Sequence, residues 1–181
     1  MRIIAGQYRG LSIPMPKGGD IRPTTDRAKE SLFNILNTRY DLEEVSVLEL
    51  FGGSGNVAFE FASRGSRRIL SIEKNCRVSE QAKKFAAMRG IGQIQFLAAD
   101  VFKYTKNIDE QFDIVFADPP YHLKNIGQIP EIILENNLLK PKGICIVEHE
   151  SSLKWENQYL IESRAYGQSV FSMFQFDVSL D

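Results

Sequence analysis

The chain has 181 residues, of which 43% are hydrophobic and 25% charged, and its net charge is −1. That length suits one domain with a real core and a small appendage, and near-neutrality argues against nonspecific wrapping of nucleic acid. No secretory leader or membrane-length apolar run is present, since Met1-Arg2-Ile3-Ile4 is too short for either, so a cytoplasmic protein is expected.

Residues 2–14 alternate around Gly6 and Gly10 and read as a small hairpin, Arg2–Ala5 with Leu11–Pro14. Lys17–Thr25 is a turn-rich link, and Asp26 opens a helix that Thr25 or Asp26 itself caps. Six basic residues (Arg2, Arg9, Lys17, Arg22, Arg27, Lys29) face three acids in the first 30, a segment of +3 on a body of −4. Such a distribution points to a phosphate-bearing partner.

From Val45 onward strands and helices alternate: strand Val45–Phe51, helix Gly55–Arg64, strand Ile69–Glu73, helix Asn75–Arg89, strand Ile94–Ala98. A short helix is expected before the strand Phe112–Ala117. A helix over Ile126–Leu139, stopped by Pro141 and Gly143, precedes the strand Ile144–His149. Gln158–Ser163 and Val170–Val178, separated by Tyr166-Gly167, should pair antiparallel at the sheet edge. Strands apolar on both faces, alternating with helices, predict an α/β fold with a doubly wound, Rossmann-like, mostly parallel sheet. Cys76 and Cys145 read as reduced thiols. His122 and His149 are far apart, and no Cys/His set has metal-ligand spacing, so no metal is expected.

Two constellations carry chemistry. The first is Glu49-Leu50-Phe51-Gly52-Gly53-Ser54-Gly55 between the first strand and its helix, followed by Glu73 at the end of the second strand and Asp100 after the third. Glycines there permit a tight turn and close approach of a ligand. A carboxylate at the end of strand two commonly grips both hydroxyls of a ribose. Alone this pattern says nucleoside and leaves NAD and S-adenosylmethionine open. Glu49 favours the latter, because it would repel a pyrophosphate and hold the ammonium of a methionine moiety.

The second constellation is Asp118-Pro119-Pro120-Tyr121 at the end of the fourth strand. Each proline fixes its own φ and extends the residue before it, so Asp118 and Tyr121 are held rather than mobile. A fixed carboxylate, free main-chain carbonyls and an aromatic face suit a planar group bearing an amine. A dehydrogenase has no use for such a turn.

With these residues in view, the chain resembles the bacterial 16S ribosomal RNA guanine-N2 methyltransferases over nearly its whole length. The resemblance rests on Arg2-Ile3-Ile4-Ala5-Gly6-x-x-Arg9-Gly10, on Arg22-Pro23-Thr24-Thr25-Asp26-Arg27 continuing to Leu32-Phe33-Asn34, on Leu50-Phe51-x-Gly53-Ser54-Gly55, on Ser63-Arg64-Gly65 and Glu73-Lys74, and on Asp118 to Tyr121. It implies a single domain, residues 1–44 contacting RNA and 45–181 forming the catalytic core. The implied cofactor is S-adenosylmethionine, held by Glu49, Phe51, Gly53, Ser54, Gly55, Glu73, Asp100 and Val101. Asp118, Pro119, Pro120 and Tyr121 would serve the guanine amine, and Arg9, Arg22, Arg27 and Lys29 would contact RNA. The implied partner is 16S ribosomal RNA within the small subunit or an assembly intermediate, met by a monomer. Two positions depart: that family usually has Asp at position 49 and Ala at position 52. Two other classes share parts of the pattern, DNA adenine or cytosine amino-methyltransferases and a noncatalytic nucleoside-binding assembly factor. The former usually need a recognition domain for which the amino-terminal segment is too short.

Overall fold

In the computed structural model, residues 1–15 and 25–176 are described. Helix α1 (Asp26–Arg39) starts at Thr25, whose hydroxyl accepts from the Ala28 amide at 3.2 Å, so Thr25 rather than Asp26 is the cap. There follow β1 (Ser46–Leu50), α2 (Asn56–Ser63), β2 (Arg68–Glu73), α3 (Cys76–Met88) and β3 (Ile94–Ala98). The short α4 (Val101–Tyr104) and a 3-10 turn lead to β4 (Phe112–Ala117). The chain closes with α5 (Ile129–Glu135), β5 (Leu139–Glu150), β6 (Leu160–Tyr166) and β7 (Ser169–Phe174).

The strands form one seven-stranded sheet in the order β3-β2-β1-β4-β5-β7-β6. The first five are mutually parallel, and β7 runs antiparallel to both β5 and β6. This is the expected architecture, mostly parallel with an antiparallel pair at one edge. Its interior strands are buried on both faces, and two apolar clusters sandwich it. One cluster joins α1, α2 and α3 to Val47, Ile69, Ile114 and Ile146, and the other joins α5 and the tail to Leu48, Leu70, Val115 and Val147. Chain order reverses between β1 and β4, and the crevice at the carboxyl ends of those strands is where open α/β sheets take ligands.

Three boundaries differ from the sequence reading. The amino-terminal hairpin is a loose pair rather than two regular strands: one bridge, Arg2 to Ser12, with the Ile3 amide donating to the Leu11 carbonyl at 3.0 Å and the Ile13 amide to the Met1 carbonyl at 2.9 Å. Residues 4–8 instead bond to side chains and carbonyls of α2, which uses up ladder positions. The helix expected over Ile126–Leu139 is a 3-10 turn plus α5, which stops at Glu135. Asn137 takes φ 50°, Leu138 turns fully inward, and Leu139 pairs with Phe112. Pro141 and Gly143 therefore lie inside β5, at a register shift between Phe112 and Ile114, where a bulge tolerates a residue without an N–H. The edge pair runs Leu160–Tyr166 with Ser169–Phe174, displaced from the expected bounds by one to four residues at its ends.

Candidate active site

The donor half is built on the β1–α2 loop. Phe51, Gly53 and Gly55 all have positive φ, at 58°, 53° and 78°. Gly55 caps α2 in the left-handed region and has no side chain with which to hold the first amides. Glu49 substitutes for it: Oε1 accepts from the Ala58 amide at 3.0 Å, and Oε2 meets the Ser71 hydroxyl. Strand alternation explains the geometry, since Glu49 and Ser71 are register partners on the face that α2 covers. Burial pushes the Glu49 carboxyl up to about 7, against the lowering effect of these bonds. Glu49 is 2% exposed. Both of its oxygens are engaged within the protein, and it braces the glycine loop from beneath.

Glu73 ends β2 with both oxygens at the crevice. Oε2 accepts from the Gly53 amide at 3.0 Å and Oε1 from the Asn75 amide at 2.7 Å. One carboxylate thus ties the glycine loop to the start of α3. Asp100 caps α4 through the Lys103 amide and pairs with Lys74 at 2.9 Å. The hydrogen bond from Lys74 holds the Asp100 carboxyl below its usual range. Val101 is buried beside it, and Phe102 meets Phe51 edge-on with ring centroids 5.9 Å apart. Ser54 is buried, with its hydroxyl 3.7 Å from the Met1 sulfur.

The acceptor half is the turn after β4. Leu50 and Ala117 are register partners, so the glycine loop and Asp118 leave neighbouring parallel strands, and the Asp118 amide donates to the Leu50 carbonyl at 3.3 Å. Leu123 closes the turn onto the Pro120 carbonyl at 2.8 Å. Pro119 is buried, Pro120 is exposed and Tyr121 is half-buried, its hydroxyl 3.3 Å from Ser169 Oγ at the start of β7. Asp118 shares its sheet face with Glu148, because Ala117 pairs with Val147 on β5. Burial, then Glu148, then Glu49 hold the Asp118 carboxyl well above its ordinary range.

Arg9 and Arg27 are exposed, as a phosphate contact requires, and Arg22 lies outside the described residues. Lys29 is a correction. It is fully buried, and its ammonium donates to the Arg2 carbonyl at 2.7 Å and to Asn56 Oδ1 at 2.9 Å, and pairs with Glu60 at 3.2 Å. Position 29 falls on the apolar stripe of α1 between Ala28 and Leu32, so it points into the protein and away from RNA. The sequence reading also missed Glu148, although an acid at the carboxyl end of the apolar run Ile144–Val147 was a usable signal. It missed Ser169 as well, since only the tertiary pairing of β5 with β7 brings that residue to the crevice rim.

An open sheet with this strand order, a glycine loop at its switch point and a carboxylate turn on the adjoining strand define a methyltransferase-type α/β domain. A solved structure named as a methyltransferase, yhhF of Escherichia coli, superposes with a TM-score of 0.84 over 96% of each chain at 27% identity. A family model described as conserved hypothetical protein 95 matches residues 1–175, and the chain belongs to that family. It is 33% identical to the ribosomal RNA small subunit methyltransferase D of Haemophilus influenzae, over 97% of this chain and 93% of that protein. The Escherichia coli protein of the same name is 31% identical over 83% of this chain and 75% of its own length.

Proposed function

We propose that this protein transfers the methyl group of S-adenosylmethionine to the exocyclic N2 amine of a guanine in 16S ribosomal RNA. The observation that carries the reading is the pairing of Leu50 with Ala117. It puts a loop suited to a nucleoside and a turn suited to an amine on neighbouring strands, about 4.8 Å apart. Relatives named as ribosomal RNA small subunit methyltransferases support RNA as the substrate class.

When bound, the donor supplies an electrophilic methyl group on a sulfonium. The residues present fit such a group: Glu73 has its carboxylate at the loop, and Phe51, Val101 and Phe102 offer an apolar floor. Glu73 accepts bonds from the ribose hydroxyls, and Asp100 borders the adenine. On the acceptor side the difficulty is the nucleophile, because the amine lone pair is delocalised into the purine. Asp118 and the Pro119 carbonyl accept the two amine N–H bonds and turn the lone pair toward the methyl carbon. With the donor bound, the N–C bond would form from that pair as the C–S bond breaks with its electrons to sulfur, and Asp118 would take the surplus proton from nitrogen. Its raised proton affinity suits that last step. Catalysis otherwise comes from alignment and placed dipoles. Tyr121 stacks on the base, worth roughly 1–3 kcal/mol, and offsets part of the cost of swinging the guanine out of its stack. Residues 1–44 form the RNA-contacting part of this single domain, with Arg9 and Arg27 on phosphates. The protein acts as a monomer on the small subunit or an assembly intermediate.

The test is transfer of tritium from methyl-labelled S-adenosylmethionine to 16S RNA transcript, free 30S particles and duplex DNA, followed by mass mapping of the labelled nucleotide. Label in N2-methylguanine of the RNA or particle is the expected result. Label in DNA would select an adenine or cytosine amino-methyltransferase, and donor binding without transfer would select an assembly factor.

A further inference from the structure

The amino-terminal segment is wired to the donor loop through a buried polar hub, and Lys29 is its centre. Its ammonium, with 0% exposure, bonds to Arg2 on the first segment, to Glu60 in the middle of α2 and to Asn56 at the first residue of α2. Glu60 is equally buried. It accepts from the Ile4 amide at 2.8 Å, the Ala5 amide at 3.1 Å and Arg64 Nε at 3.0 Å. The same segment bonds again at the far end of α2: the Gln7 amide donates to the Ser63 carbonyl at 2.8 Å, and the Tyr8 amide to Ser63 Oγ at 2.9 Å. The packing is close enough that a Cβ at Gly6 would fall 1.8 Å from the Ser63 carbonyl oxygen. Ile13 and Pro14 then close over Ser54 and the α3 residues Val78, Ala82 and Phe85.

Asn56 is where this hub meets the ligand loop. It follows Gly55 directly, and Gly55 has no side chain with which to anchor the turn. The loop is thus fixed at three points: Glu73 at Gly53, Glu49 at Ala58 and Lys29 at Asn56. The third point reports the position of the amino-terminal segment, because Lys29 also holds Arg2.

We propose that Lys29 and Asn56 are positioning residues for the donor, and that donor affinity depends on the docked amino-terminal segment through the bond between them. The inference rests on the assignment of S-adenosylmethionine as donor. Neither residue touches the reacting atoms; they act through the glycine loop. An interaction that orders the loop before binding lowers the ordering cost of the ligand complex.

The test is calorimetric titration of the full chain with S-adenosylmethionine and with S-adenosylhomocysteine, for wild type, Asn56→Ala and Asn56→Asp, with thermal unfolding of each. Asn56→Ala removes the acceptor of the Lys29 ammonium, whereas Asn56→Asp keeps an oxygen in place. The expected result is a loss of about five-fold or more in affinity for both ligands in Asn56→Ala, part of the value of one charge-assisted bond being felt at the loop. Asn56→Asp should stay within about two-fold of wild type. Lys29→Met, if it folds, should reproduce the Asn56→Ala loss; its failure to fold leaves the Asn56 pair to decide. Equal affinities in wild type and Asn56→Ala overturn the inference, as do equal losses in the alanine and aspartate variants. A wild-type protein that binds neither ligand overturns the donor assignment itself, a result distinct from both.

Discussion

Asp118 is asked to accept hydrogen bonds from an amine and then a proton, and its neighbours set the pH at which it can. A carboxyl raised by burial, Glu148 and Glu49 is protonated over a range where an ordinary aspartate is charged. Protonated, it offers one lone-pair acceptor fewer, so methyl transfer should fall as pH drops through a limb above the usual carboxylate range. Glu148→Gln removes a negative neighbour while keeping shape, which favours ionisation of Asp118 and moves the limb to lower pH. A pH–kcat/KM profile for both proteins checks this, and a limb that stays in place would show that Glu148 does not tune the site. Asp118→Ala, by contrast, should abolish transfer with donor affinity largely kept. The departures at positions 49 and 52 belong to the same scale. A Cβ on Gly52 would lie 2.6 Å from Glu49 Oε2 and 2.2 Å from Ser71 Oγ, so the longer acid and the missing methyl group occupy one space. Gly52→Ala should cost about 1–3 kcal/mol. The cost should shrink in a Glu49→Asp background, where the carboxylate retracts and Ser71 is free to rotate. A double-mutant cycle by chemical denaturation measures the coupling, and strictly additive effects would sink the pairing.

At the level of elements, legibility in sequence followed the locality of the cause. Strands β1, β2 and β4 are apolar runs bounded by polar turns, and their positions and type were readable because burial on both faces leaves a direct mark on composition. The glycine loop and the Asp118 turn were readable because backbone chemistry is local. The end of α5 was not, because it depends on Leu138 and Leu139 being drawn to Phe112, a contact 26 to 27 residues away in sequence. The amino-terminal hairpin formed as a loose pair rather than two regular strands, since Glu60 and Ser63 hold the amides of Ile4, Ala5 and Tyr8. Lys29 was misread because a lysine beside Arg27 resembles a basic face until its burial against Glu60 is known. One element-level prediction separates helix capping from ligand grip at the β2–α3 junction. Asn75 caps α3 through the Arg77 and Val78 amides, while Glu73 next to it holds Gly53. Asn75→Ala should cost about 1 kcal/mol of stability and leave donor affinity nearly unchanged. Glu73→Ala should do the reverse, and calorimetry with denaturant unfolding of both variants reads the split. Equal affinity losses would mean that α3 itself, rather than the carboxylate, holds the ligand.

For the molecule as a whole the question is how a chain of net charge −1 approaches a polyanion. The acids of the site sit at the crevice, and Glu49 and Glu148 are buried, so their field acts mainly on groups that enter it. The exposed cations Arg9 and Arg27 sit on the amino-terminal segment and α1, which pack against α2. RNA drawn to these two arginines would be held through its phosphates. A protein with few such contacts should show a shallow salt dependence, because each neutralised phosphate contributes a slope of about −0.7 to −0.9 in log K against log salt. Arg27→Gln should therefore weaken RNA binding at low salt and lower that slope by about one contact's worth. The gap to wild type should narrow as salt rises, since screening erodes the wild-type advantage. Arg9→Gln should behave alike, and the double variant should lose both contributions additively, because the two act on separate phosphates. Fluorescence anisotropy with a labelled 16S fragment across a salt series gives these slopes. Unchanged slopes in both variants would remove these arginines from the RNA interface, and a loss independent of salt, accompanied by a lower Tm, would assign them to folding instead.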